Sequence, residues 1–187
     1  MSLRGKAMEK QRIGEKIYLR MMEDKDIEDV VNWRNNKRVQ SRFIYQEPFT
    51  IEGQKAWIEN MIKPGKVVQF IICEKDTDKS VGCVYFRDID KTHRKAEYGI
   101  FIGDDGAVGK GYGTEACKLA CDYGFHEMAL HRIFLRVFAD NAQAMKSYEN
   151  GGFEKEAYLH DDVCIRGKFY DIVLMGQINP AEREQNQ

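Results

Sequence analysis

Apolar and polar positions alternate, cluster and break along the chain in a pattern that marks out short strands and helices. Lys16–Met22 reads as a strand, and a helix is predicted from Asp24, a candidate N-cap, to Asn35, with Ile27, Val30, Val31 and Trp33 forming much of its apolar face. Val39–Phe43 is a short helical or irregular stretch, and Pro48 breaks any helix that would run through Tyr45–Phe49. Thr50 caps a second helix carrying Ala56, Trp57, Ile58, Met61 and Ile62, which ends before Pro64-Gly65. Two β-rich runs, Val67–Glu74 and Val81–Asp88, flank the turn residues Asp76–Lys79 and predict an antiparallel hairpin. Lys95–Ile102 is another strand, Tyr112–Met128 a long helix, Arg132–Ala139 a strand and Ala142–Asn150 a short helix stopped by Gly151-Gly152. Phe153–His160 and Cys164–Ile178 close the pattern as strands, with a bend or turn at Gly167-Lys168.

The predicted order is therefore β-α-α-β-β-β-α-β-α-β-β. Helices interleaved with mostly antiparallel strands indicate a mixed α/β (α+β) fold, a central twisted sheet flanked by helices. No repeat, low-complexity segment or linker interrupts it, and one domain over residues 15–179 is the simplest account. Residues 1–14 lack apolar periodicity and are expected to form a tail, disordered or of expression origin, with Met8 an alternative native start; residues 180–187 form a C-terminal tail.

Composition narrows the class. The chain has 187 residues, 43% hydrophobic and 32% charged, enough for one sizeable core. Its 29 basic and 30 acidic residues give a net charge of −1, so no overall field draws it to nucleic acid or to a membrane surface. Arg4, Lys6, Lys10, Arg12 and Lys16 make a small basic excess that reads as a solvated tail. No apolar run is long enough to span a bilayer, and no signal-like segment opens the chain. Cys73, Cys83, Cys117, Cys121 and Cys164 contain no C-x-x-C pair and do not cluster with histidines, so buried reduced thiols in a cytoplasmic protein, with no metal, are expected.

The candidate chemistry begins at Gly109-Lys110-Gly111-Tyr112-Gly113-Thr114, between a strand and a helix. Alternate glycines before a helix start let backbone N–H groups face a ligand at the positive end of the helix dipole, which suits a phosphate or pyrophosphate. The spacing departs from both the dinucleotide-binding and the nucleotide-triphosphate loop patterns, and alone it would also suit a flexible surface loop. About thirty residues on, Asn141 follows a strand and can cap a helix on which Ala144 and Tyr148 lie near one face. A small residue between a polar cap and a phenol leaves room for an extended ligand; equally, Asn141 can be a plain cap and Tyr148 a core aromatic.

Together these segments resemble the GNAT superfamily of acyl-coenzyme A-dependent N-acetyltransferases over about Lys16 to Ile178. The family's pyrophosphate signature maps onto Val108, Gly109, Lys110, Gly111, Tyr112 and Gly113, with Thr114 starting the helix, and its later pattern onto Asn141, Ala144, Tyr148, Gly152 and Phe153. Val108 stands where the family has Gln or Arg, which removes a side-chain contact and leaves the backbone donors. Trp33-Arg34-Asn35 and Gly167–Asp171 carry a narrower likeness to the RimJ/RimL-type branch of ribosomal-protein N-terminal, polyamine and amino-sugar enzymes.

The resemblance implies an acetyl-coenzyme A cosubstrate, no metal, and direct transfer to the primary amine of a protein N-terminus, polyamine, amino sugar or aminoglycoside. Tyr148 would protonate the departing thiolate, and Glu97, on the strand before the loop, is the candidate base. A backbone N–H around Phe101 or Ile102 would stabilise the oxyanion beside the pantetheine arm, and Gly99 would mark a bulge or a close backbone approach. Trp33, Phe43, Tyr45, Glu47, Phe49, Tyr85 and Tyr170 are candidates for the acceptor pocket, their aromatic walls with Glu47 suited to an ammonium or a sugar. There is no dense acidic cluster of the kind a polyamine favours, Asp161-Asp162 being too small a signal. Oligomeric state is not legible here, and a homo-oligomer is compatible with the chain. The competing functions are a non-catalytic coenzyme A-binding regulatory or interaction module and an RNA- or ribosome-associated modifier, to which the near-neutral charge gives no electrostatic support.

Overall fold

A computed structural model describes residues 10–183. Within them, β1 (Lys10–Ile13), β2 (Ile17–Met21), β3 (Val68–Glu74), β4 (Ser80–Asp90), β5 (Lys95–Ile102), β6 (Arg132–Phe138), β7 (Glu154–Ile165) and β8 (Lys168–Ile178) form one sheet in the order β1-β2-β3-β4-β5-β6-β8-β7. Every neighbouring pair is antiparallel except β5 and β6. The helices are α1 (Ile27–Asn35), α2 (Lys37–Gln40), α3 (Ile51–Trp57), α4 (Tyr112–His126), α5 (Ala142–Asn150) and α6 (Pro180–Arg183). No helix among the described residues is long and apolar enough to cross a membrane.

The period-two alternation of strands divides the core between the two faces of the sheet. Ile17, Leu19, Phe70, Ile72, Val84, Phe86, Ala96 and Tyr98 point to the side covered by α4 and α5. Tyr18, Ile71, Cys73, Cys83 and Phe101 point to the side covered by α1, α2 and α3. A central strand covered on both faces carries apolar residues toward each, which is why Phe70–Cys73 of β3 is a continuous hydrophobic run. Phe138, Val163 and Ile172 make a smaller cluster under the β6–β8–β7 end of the sheet.

Several expected boundaries move, each for a non-local reason. Lys10–Ile13 is an edge strand and not a tail, because it pairs with β2 and Arg12 reaches Asp122 at 2.6 Å and Glu127 at 3.0 Å near the end of α4; residues 1–9 lie outside the described residues. Asp24 does not cap α1. A 3₁₀ turn over Asp24–Asp26 precedes that helix, with Glu23 and Asp26 forming a capping box, and the Asp26 carboxylate is gripped by Arg20 at 2.6 and 2.7 Å in a buried pair. α3 runs on through a π-helical turn, Ile58–Ile62. Cys164 belongs to β7, which continues to Ile165 and turns tightly through Arg166 and Gly167, both at positive φ, and the Cys164 thiol is exposed where a buried one was expected. Pro180–Arg183 is a docked helix and not a tail, with Glu182 bonded to Arg94 and His131.

Candidate active site

β5 and β6 pair only from Lys95–Glu97 to Arg132–Phe134. Beyond that point β5 stays bonded to β4 as far as Ile102 and β6 to β8 as far as Phe138, so each keeps one paired edge and turns an open one toward the other. The sheet splits into a wedge, and the cleft that fills it, about 1340 Å³, opens to both faces. On the α4 side, Tyr98 sits at the split with Tyr148 and Phe153 around it, ring centroids 6.2 and 5.6 Å away. On the opposite side, Glu97 is the last residue of β5 paired with β6 and bridges Arg87 of β4 at 3.0 Å and Arg136 of β6 at 3.2 Å. It clamps the vertex of the wedge.

The glycine loop forms one wall. Asp104 accepts a hydrogen bond from the Gly106 N–H at 2.8 Å, shaping the turn into Gly109 (φ +80°) and Gly111 (φ +84°), both in the region that glycine tolerates best. Gly111 is the N-cap of α4 and offers no side chain, so the first N–H groups of a 15-residue helix are left to face the cleft. A Cβ at Gly109 would meet nothing within 4 Å, so the positive φ and not crowding is what calls for glycine there. Lys110 turns away to Glu74, and Tyr112 donates to the same carboxylate, so the loop meets a ligand with backbone rather than with these side chains. Asn141 caps α5, accepting from the Ala144 N–H at 3.2 Å, and Thr114 and Ser147 hydroxyls at 2.9 Å tie α4 to α5. This donor set fits the pyrophosphate of coenzyme A, and the open strand edges fit its amide-bearing arm.

Tyr148 and Glu97 are the two predicted catalytic groups, and both line the cleft. Burial pushes the Tyr148 phenol up, with Cys117 and Tyr85 adding to the shift, so it stays protonated, and none of the described groups engages its hydroxyl. Burial alone would raise the Glu97 carboxyl, but Arg87 and then Arg136 outweigh it and hold Glu97 below the usual carboxylate range.

The acetyltransferase (GNAT) domain family matches residues 16–154. The chain belongs to that family. A spermidine N(1)-acetyltransferase of Vibrio cholerae is 28% identical over 159 residues, 85% of this chain and 91% of the relative, and a probable N-acetyltransferase of Bacillus subtilis, YjcK, is 31% identical over 179 residues, 91% and 98%. The crystal structure of spermidine N-acetyltransferase from Vibrio cholerae in complex with CoA and spermine superposes with a TM-score of 0.81 at 27% identity, covering 88% of this chain and 96% of that one. As a GNAT protein the chain is an N-acetyltransferase with acetyl-coenzyme A as cosubstrate.

In this GNAT fold the cleft gathers Glu97, Phe101, Ile102, Val108, Gly109, Gly111, Tyr112, Gly113, Thr114, Asn141, Ala144 and Tyr148 into one wall system. Tyr45, Tyr85 and Phe49 line it as well, whereas Trp33 packs on Phe101 and against Gly103, Glu47 is exposed outside it, and Tyr170 packs on Phe138. Gly99 pairs with Tyr85 in unbroken register, so it is no bulge; a Cβ there would lie 2.3 Å from the Tyr85 ring, so the glycine makes room for that side chain and not for a close backbone approach. Sequence reasoning missed Arg34, Arg87 and Arg136. For Arg34 a signal existed: Ile27, Val30, Val31 and Arg34 are the buried positions of α1, spaced i, i+3, i+4, i+7. Arginine, not Trp33, completes the stripe.

Proposed function

We propose that the protein moves an acetyl group directly from acetyl-coenzyme A to a primary amine of a small molecule or a protein N-terminus, within a ternary complex. The observation that carries this is the Tyr148 hydroxyl, unengaged and protonated, in the same two-sided cleft as the glycine loop and the open edge of β5. Acetyl-coenzyme A supplies the acyl group and a thiol leaving group. The backbone of Gly109–Thr114 holds the pyrophosphate, Asn141 and Ala144 shape the passage beside it, and Tyr148 delivers a proton to sulfur. Glu97 acts as a positioning residue: an arginine-bridged carboxylate with a depressed pKa is a weak proton acceptor, so water carries the proton away from the amine. A non-catalytic coenzyme A-binding module would leave such a phenol without a role.

The relatives' names put spermidine among the acceptors to try, and the RimJ/RimL-type likeness adds N-terminal peptides. Acetyl-coenzyme A turnover measured against peptides, polyamines, aminoglycosides and amino sugars tests the reading. Acetylated amine is the expected product; binding of acetyl-coenzyme A without transfer to any amine would sink it.

A further inference from the structure

Arg34 is only 7% exposed, yet it has no carboxylate partner among the described residues. Its guanidinium lies over Phe43 at 3.6 Å and Phe49 at 4.4 Å, with Phe101 at 5.7 Å. Its Nη2 makes one long hydrogen bond, 3.5 Å, to the Tyr45 carbonyl, and its Nη1 is buried with no hydrogen-bond partner. Stacking on ring faces stabilises the cation from above and below but leaves the in-plane N–H groups unsatisfied. A buried charge in that state is costly unless a ligand completes it. The aromatic walls that would have suited a substrate ammonium are thus occupied by a cation of the protein itself.

The other charged side chains of the lining are mostly cationic, and Arg38, Arg42, Arg87 and Arg136 each have a carboxylate partner that Arg34 lacks. The carboxylates of the cleft are Glu97 and Asp140, set against Arg34, Arg38, Arg42, Arg87 and Arg136. Glu97 is committed to Arg87 and Arg136, and Asp140 to Arg42 at 3.3 Å. A polyamine entering here would meet guanidiniums and no uncommitted lining carboxylate. Burial pushes the Tyr85 phenol up while Arg34 and Arg87 both draw it back, so the two cations act on one spot beside the ring that lies over Gly99.

We propose that the acceptor is an amine that also carries an anionic group, a carboxylate or a phosphate, and that Arg34 is the receptor for that group. This rests on the transferase reading and narrows its substrate class. An anion that accepts from Nη1 supplies the missing hydrogen-bond partner, offsets the buried charge and holds the amine at a fixed reach from its own anion.

The test compares kcat/KM for matched acceptors: L-methionine with L-methioninamide, glucosamine 6-phosphate with glucosamine, and spermidine. One charge-assisted hydrogen bond more or less corresponds to about 10- to 100-fold, so the anionic member of at least one pair exceeds its neutral partner and spermidine by that factor. The pair that shows the preference tells carboxylate from phosphate. In Arg34→Gln the preference collapses through a raised KM for the anionic member while the KM for acetyl-coenzyme A holds, and Arg34→Lys recovers part of it. If Arg34→Gln does not fold, the wild-type pairs and Arg34→Lys decide. Preference for spermidine or for the neutral members, or a preference that survives Arg34→Gln, overturns the anion receptor and leaves the transferase standing. Acetyl-coenzyme A binding by calorimetry with no transfer to any of these amines or to the wider panel overturns the transferase reading and the receptor with it.

Discussion

The Tyr148 ring is held by edgewise packing on Tyr98 and Phe153, and none of the described residues hydrogen-bonds its hydroxyl. Tyr148→Phe therefore removes a proton donor and almost no packing, and kcat is expected to fall by about 10²- to 10⁴-fold with the KM for acetyl-coenzyme A little changed. Steady-state kinetics at saturating donor check this, and undiminished turnover would end the acid role. Glu97 leads to a pH prediction. Its folded-state pKa lies below its unfolded value, so the stabilisation it gives is present above about pH 4.3 and is lost as pH falls through the lower folded value. Glu97→Gln should cost about 1–3 kcal/mol at neutral pH, and the gap to wild type should close in acid. Denaturant melts at pH 7 and below pH 4 measure it; a gap independent of pH would mean that the ion pairs contribute nothing. Because Glu97 stays ionised from about pH 6 to 9, the rate profile over that range should follow the acceptor amine in both proteins. Residue identity alone did not reveal this network: Arg87 was legible only as a strand residue, and Arg136 meets Glu97 only because β5 and β6 run parallel.

Local signals specified most elements and most of the residues that line the glycine-loop wall of the cleft. Thr50 accepts from the Gly53 N–H at 3.0 Å and Asn141 from the Ala144 N–H at 3.2 Å, both as side-chain chemistry at helix starts predicts. What local signals could not give was structure set by distant partners, such as β1, held to α4 by Arg12, and α6, held to Arg94 and His131 by Glu182. The α4 start is the element on which the proposed pyrophosphate site depends. At φ +84° Gly111 occupies a conformation that costs other residues roughly 1–2 kcal/mol, and more for a β-branched side chain. Gly111→Val should lower stability by about that amount and turn the first N–H groups of α4 off target, raising the KM for acetyl-coenzyme A about tenfold or more. Calorimetric titration with coenzyme A checks the binding separately from turnover; an unaltered affinity would contradict the pyrophosphate site.

At the scale of the whole molecule the decisive feature is a sheet that is whole at one end and divided at the other. The division needs opposing supports: Tyr98, Tyr148 and Phe153 pack edgewise or tilted at the split on the α4 side, and Glu97 ties Arg87 to Arg136 at its vertex on the other. The open edges of β5 and β6 carry backbone groups that a sheet would ordinarily satisfy, so they are the natural partners of a ligand with amides of its own. Hydrogen exchange should therefore slow on adding coenzyme A at Tyr98–Ile102, Leu135–Phe138 and Gly109–Thr114, while β2 and β3, paired on both sides, show no change. Protection confined to the glycine loop would mean that only the pyrophosphate is bound and that the wedge has another occupant. Protection spread evenly through β2 and β3 would instead report global stabilisation by mass action, without a ligand seated between the two halves of the sheet.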